Sequence, residues 1–347
     1  MNMDERTDFT VAGMTGQKPA WKWAAEKKQI TEKYGSVSEE NAAFEERYAQ
    51  HLRDTDKEEA AAFVSRELAG IYTQLDGDRS LRAALCRKYL ADYYYRQRDF
   101  ESCIDYAAEA IPVLADHLSD RDLNTIRAME LETNALFELH RDDEALELSE
   151  RIVSAYRDVY GPSDGETFLA EQNHALMLLE AERYEKAVPF LEDLDRREQE
   201  TRFTDEYVPY FLFTCYLKLG MHDKQNAVMN RQLDLLEISG ASDREKADRL
   251  ADLFDALYED SQFENALGIG MKLIPLLQNL GSDGKKTLTH VLMSVALLHF
   301  NLGNAAQSKK YAEKAMKQAR KYYKYNYEQM TDFQKAYDLI QTVKNGK

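Results

Sequence analysis

The chain has 347 residues, more than one compact core usually organises, so either two domains or a stacked repeat array is expected. Its 45 Lys and Arg against 62 Asp and Glu give a net charge of −17, which favours solubility and disfavours nucleic acid and anionic membranes as partners over most of the surface. Three dispersed cysteines, Cys86, Cys103 and Cys215, exclude a disulfide framework, and no apolar run reaches the roughly 18 to 20 residues that cross a bilayer. A reducing, cytoplasmic setting is therefore expected.

Residues 1–19 are polar, hold Gly13, Gly16 and Pro19, show no secretory-signal pattern and are expected to be disordered. From Ala20 the apolar spacing predicts an all-α chain, with helices over 20–34, 38–53, 56–75, 80–97, 100–117, 121–139, 142–160, 165–181, 184–199, 205–219, 222–238, 243–260, 263–279, 286–302, 304–324 and 328–343. Helix starts are marked by S/T-x-x-D/E pairs at Thr55–Glu58, Ser119–Asp122, Ser163–Glu166 and Ser242–Glu245. Stops are marked by Gly161, Gly220, Gly240, Gly281 and Gly303. The connections are short, so successive helices should form antiparallel hairpins.

A period underlies this pattern. Phe100, Asp142 and Tyr184 sit 42 residues apart, as do Cys103, Ala145 and Ala187, and again Ala266 and Ser308. Small residues recur where two helices of a hairpin would cross closely: Ala91, Thr133, Ala175 and Ala296 on first helices, Cys103, Ala145, Ala187, Ala266 and Ser308 on second helices. Residues 205–238 break the rule, with Phe213 and Gln225 at positions where small residues are expected.

The segment TFLAEQNHALMLLEAERYEKAVPFLEDL at 167–194, preceded by GPSDGE, resembles the tetratricopeptide repeat in its 42-residue variety, found in kinesin light chains and many bacterial proteins. The resemblance implies a right-handed α-solenoid: N-terminal helices and a degenerate first repeat over 20–79, six repeats over 80–318, and a basic, aromatic capping segment over 319–347. It implies a non-catalytic scaffold that binds a protein or peptide in a concave groove lined by first helices. The residues placed there are Lys88, Tyr89, Asp92 and Tyr95, then Glu130, Asn134 and Phe137, then Asn173 and Leu176. Further along come Tyr210, Phe211 and Thr214, then Asp252, Asp255 and Tyr258, and last Phe300. Interleaved aromatic and acidic groups suit a basic, apolar segment.

Chaperone-binding relatives hold a terminal carboxylate with Lys and Asn, but here Asp92 follows Lys88 and Glu130 precedes Asn134, which disfavours that ligand. Asn134 and Asn173 could instead bind a peptide backbone, as concave asparagines do in bacterial quorum receptors of this kind. The alternative function is thus a peptide-sensing regulator whose curvature changes on binding.

Residues 309–327, KKYAEKAMKQARKYYKYNY, form the one basic and aromatic run, and residues 285–347 carry net +8 against −25 for the rest. Head-to-tail homo-oligomerisation through the acidic body and this segment is one expectation, and a solvated outer helix face is the other. No catalytic, metal-binding or cofactor motif stands out. The seven histidines lack ligand spacing, and Gly268 and Gly270 mimic a dinucleotide loop without a preceding strand or third glycine.

Overall fold

The computed structural model describes residues 18–201 and 207–342, so the expectation for most of residues 1–19 and the start of the helix expected at 205 lie outside the described residues. Among the described residues are sixteen α-helices and no strand. In chain order they are α1 (Ala20–Tyr34), α2 (Glu39–Asp54), α3 (Glu58–Asp76), α4 (Leu81–Arg96), α5 (Phe100–Leu118), α6 (Leu123–Glu138), α7 (Asp142–Tyr160) and α8 (Gly165–Glu180). There follow α9 (Tyr184–Thr201), α10 (Tyr207–Lys218), α11 (His222–Ile238), α12 (Asp243–Glu259), α13 (Phe263–Asn279), α14 (Lys285–Asn301), α15 (Ala305–Tyr322) and α16 (Tyr327–Gln341). None is long and apolar enough to cross a membrane.

The chain divides into two compact units, with the boundary between Cys215 and Tyr216, inside α10. In the N-terminal unit each helix packs on the next from α1 to α9, and α4 also meets α6. In the C-terminal unit α12 through α16 pack in sequence, and α14 also meets α16. Each unit is therefore built of antiparallel hairpins whose contacts reach only near neighbours, the organisation of a helical-repeat solenoid. The first helix is held by Trp23, which packs against Phe44, Tyr48 and His51 of α2 with ring centroids 5.1 to 5.7 Å away.

The backbone carries the period as well as the side chains do. Within hairpins, Asp56, Arg98, His140 and Glu182 adopt φ of 55 to 60°, each 42 residues from the last. Between hairpins, Gly35, Gly77, Ser119 and Gly161 adopt φ of 85 to 92°, again 42 apart. Ser119 is the exception in that second series. With φ 89° and ψ 161° it occupies a region in which a Cβ is strained by about 1 to 3 kcal/mol. Ser119→Gly should therefore raise stability by about 1 kcal/mol in chemical denaturation, after subtracting the roughly 0.5 to 1 kcal/mol of extra chain entropy that glycine loses.

Three of the four expected capping boxes are corrected. Thr55 closes α2, its hydroxyl donating to the carbonyls of His51 (2.8 Å) and Leu52 (3.2 Å). Asp122 caps α6, accepting from the Asn124 amide, and Asp164 caps α8, accepting from the Glu166 amide. In both cases a carboxylate directly before the helix reaches the free amides, so the serine further back is not used. Ser242 and Glu245 do form the reciprocal box at α12. All five expected glycine stops have positive φ.

The core follows the crossing rule. Ala91, Ala175, Ala296, Cys103, Ala145, Ala187 and Ala266 are fully buried, and Thr133 and Ser308 nearly so. The irregular repeat is accommodated chemically. Buried Gln225 on α11 accepts from Gln262 Nε2 at 2.8 Å and donates to Gln262 Oε1 at 3.1 Å, so a polar group at the crossing costs no unmade hydrogen bond.

Candidate partner-binding groove

Alternate helices of the N-terminal unit present the same face at the same register. Stepping by 42 residues aligns Glu46, Lys88 and Glu130, then Arg47, Tyr89 and Leu131, then Gln50, Asp92 and Asn134. These nine side chains from α2, α4 and α6 line one groove of about 890 Å³, joined by Arg53, Arg82 and Arg127 and, from α3, by Ser65, Leu68 and Tyr72. A second hollow of about 330 Å³ shares Arg127, Glu130 and Asn134 with it and extends to Asn173, Glu166 and Leu169 on α8.

Its electrostatics are fixed from beneath. The Tyr72 hydroxyl donates to Glu46, and 84 residues on the Tyr156 hydroxyl donates to Glu130 at 2.8 Å. Burial beside these carboxylates pushes both phenols well above the usual tyrosine range. Between the two glutamates in register stands Lys88, half-buried, whose ammonium donates to Asn124 Oδ1 at 2.7 Å. Desolvation holds its pKa below the ordinary lysine value. Arg53 lies over the Tyr89 ring, 4.9 Å from its centroid, and donates to Gln50 Oε1 at 2.8 Å. Neither cation has a carboxylate of a described residue within ion-pair distance, whereas Arg47 pairs with Glu26, Arg82 with Glu39 and Asp76, and Arg127 with Glu130.

Of the residues expected from sequence, Lys88, Tyr89, Asp92, Glu130 and Asn134 line the main groove, and Glu130, Asn134 and Asn173 the hollow beyond it. Tyr95 and Phe137 are half-buried and pack against the hydrophobic core, and Leu176 is half-buried outside both hollows. Tyr210 is exposed. Phe211, expected on a free face, is instead 7 % exposed, and its ring lies edge-to-face with that of Tyr210, centroids 6.0 Å apart. The Thr214 hydroxyl donates to the Tyr210 carbonyl one turn back. In the C-terminal unit Asp252 and Asp255 are exposed, Tyr258 packs on Phe254, and Phe300 is half-buried.

The sequence reading missed Glu46, Arg47, Gln50 and Arg53, although one more step of 42 back from Lys88, Tyr89 and Asp92 lands on the first three. It also expected an acidic lining. The main groove presents five basic side chains, Arg47, Arg53, Arg82, Lys88 and Arg127, against three acidic ones, Glu46, Asp92 and Glu130.

Cys86 borders the groove, but burial pushes its thiol up to about 12, and burial does the same to Cys103 and Cys215. Among the described residues no group of three or more His, Cys, Asp or Glu side chains is placed to hold a metal ion.

A stack of antiparallel hairpins with small residues at their crossings and a groove along alternate helices is the helical-repeat fold of tetratricopeptide-repeat proteins. No family model matches the chain, and no curated protein matches it in sequence. Among solved structures, it is similar to a signal-transduction ATPase with numerous domains and a tetratricopeptide repeat sensor from Pyrococcus horikoshii, with a TM-score of 0.53 at 14 % identity. That match covers 90 % of this chain and 47 % of the other, so the chain spans about half that protein's length. A kinesin light chain-type protein of nearly identical repeats from Podosopora anserina gives a TM-score of 0.46 at 13 % identity, covering 57 % of this chain and 96 % of that one. Aspartyl phosphate phosphatase F from Bacillus subtilis gives 0.42 at 14 % identity, covering 91 % and 74 %.

Proposed function

We propose that this protein is a non-catalytic interaction scaffold whose N-terminal unit holds an extended segment of a partner protein along α2, α4, α6 and α8. The observation that carries the reading is the pair Arg53 and Lys88, two cations in the main groove without a carboxylate partner among the described residues. A half-buried cation is favoured by a countercharge, which an acidic side chain of the bound segment supplies. Leu85, Tyr89 and Leu131 offer apolar contact beside it, and Glu46, Asp92 and Glu130 receive basic groups. The occupant is therefore a mixed-charge, partly apolar segment. Exposed Asn134 and Asn173 add amides that pair with a peptide backbone whatever its sequence.

The test is binding of the full chain to a peptide array that varies charge and apolar content. Arg53→Glu with Lys88→Glu should lower affinity for acidic, apolar peptides at least tenfold, the effect of about 1.4 kcal/mol. Asn134→Ala with Asn173→Ala should weaken all bound peptides alike. Unchanged binding in both double variants places the interface elsewhere.

Because helices in a repeat array contact only near neighbours, a second reading is a peptide-sensing regulator whose solenoid curvature changes on ligand binding. A smaller radius of gyration on peptide addition in small-angle scattering supports that reading; an unchanged profile with binding retained supports the plain scaffold.

A further inference from the structure

The outer face of α15 stands apart from the rest of the molecule. Lys310, Lys314, Lys317 and Lys321 lie at steps of four, three and four residues, so they form one stripe along the helix, and all four are exposed. Arg320 and Lys324 widen it. None of these six cations makes an ion pair with a described residue; Lys314, Lys321 and Lys324 lie only against neighbouring tyrosine rings. In the N-terminal unit, by contrast, Arg47, Arg82, Arg96, Arg121, Arg151 and Arg183 are all paired.

A matching stripe of opposite sign lies on α12. Asp248, Asp252, Asp255 and Glu259 are exposed and follow the same steps of four, three and four. They make no ion pair with a described residue, and desolvation by partial burial, aided by repulsion from neighbouring carboxylates, raises the carboxyl pKa of Asp252 and Asp255. Each stripe runs over eleven residue steps, about 16.5 Å at 1.5 Å per residue, so four charges of one can face four of the other in register. The fold keeps them apart within one chain: α12 packs on α13, while α15 packs on α14 and α16. One opposite charge interrupts each face, Arg249 beside the acids and Glu313 beside the lysines, and neither reverses its sign.

We propose that the basic stripe of α15 docks on the acidic stripe of α12 of a second copy of this chain. The match of length, spacing and sign favours a second copy over nucleic acid or membrane, which the charge of −17 repels at long range. Tyr325 and Tyr327, 92 % and 88 % exposed, flank the basic stripe and supply contact area beyond the charges. Because the two stripes differ, the contact is head-to-tail and can repeat from copy to copy. It is independent of the groove reading, since both stripes belong to the C-terminal unit.

Sedimentation velocity on the full chain tests it. Average mass should rise with protein concentration at about 0.02 M ionic strength, and the association constant should fall at least tenfold at about 0.5 M, where screening is nearly complete at contact distances. Asp252→Lys with Asp255→Lys, and separately Lys314→Glu with Lys317→Glu, should each give a monomer. An equimolar mixture of the two variants should associate again, because one retains the basic stripe and the other the acidic one. Circular dichroism confirms the fold of each, and Asp252→Asn with Asp255→Asn repeats the loss without charge reversal. A wild-type chain that stays monomeric at low salt, or a mixture that does not associate, overturns the proposal. So does a monomeric wild type whose basic face binds anionic vesicles or a single-stranded oligonucleotide.

Discussion

Glu171→Ala should lower the stability of the N-terminal unit by about 3 kcal/mol, at the lower end of what removing one partner of a buried ion pair costs. Glu171 lies on α8 and is fully buried. Arg157 of α7 donates to its Oε1 at 2.5 Å, and Arg197 of α9 pairs with its Oε2, so one carboxylate ties three successive helices. Arg157 keeps 44 % of its side-chain surface exposed and can turn to water when the acid is lost. Arg197 is only 15 % exposed and also donates to the Pro162 carbonyl at 2.5 Å, so its charge stays in place with less compensation. Asp193, an ion-pair partner 2.9 Å from Arg197 Nε, softens the loss and sets the estimate at the lower end. Glu171→Gln keeps shape and an acceptor and should cost about half as much, the scale of one charge-assisted hydrogen bond. Glu171→Met fills the space without the charge and separates cavity from electrostatics. Denaturant titration followed by far-ultraviolet circular dichroism gives the stabilities, and hydrogen exchange in α7, α8 and α9 locates the loss. Equal stability of the alanine variant and the wild type would mean the two arginines are solvated well enough without it.

The position of Glu171 shows how far the sequence could be read. One repeat earlier the position holds Met129, fully buried, so an acid there departs visibly from its neighbour in the period. Its partners were not visible, because they lie 14 and 26 residues away on the flanking helices, at distances no local pattern encodes. Helix positions were legible within two residues because apolar spacing and turn chemistry repeat at each hairpin. Cap residues were less so: Ser119 and Ser163 match a capping pattern as well as Ser242 does, and the position of a nearby aspartate decides between them. For the groove, the 42-residue register located Tyr89, Asp92 and Asn134, but the charge of the lining was misread because α2 and Arg127 were left out. Phe211 was misplaced since period alone does not say to which side a bulky ring turns in an irregular repeat.

Gly270→Ala should destabilise the C-terminal unit by about 1 to 3 kcal/mol, although alanine is the better helix former by about 1 kcal/mol. Gly270 sits in the interior of α13, where α12 and α14 approach from two sides. An added Cβ would lie 2.7 Å from Phe254 Cε2 and 2.8 Å from Val295 Cγ2, closer than carbon atoms pack. Both neighbours are almost wholly buried, so neither can swing to solvent, and α13 would have to shift away from one partner or the other. The register supplies the reason for a small residue here. Four residues after the crossings at Cys103, Ala145 and Ser308 stand Ala107, Ser149 and Ala312, and only Leu191 after Ala187 is large, so Gly270 belongs to a second line of mostly small residues along the second helices. This packing role explains Gly270, whereas a Cβ added at Gly268 would meet nothing within 4 Å. A double-mutant cycle separates clash from propensity: in a Phe254→Leu background, where the ring edge is gone, Gly270→Ala should cost at least 1 kcal/mol less than in the wild type, the usual size of coupling between contacting residues. Additive losses in the two backgrounds would place the strain at Val295 instead, and a stabilised Gly270→Ala variant would show that the helices separate freely enough for propensity to decide.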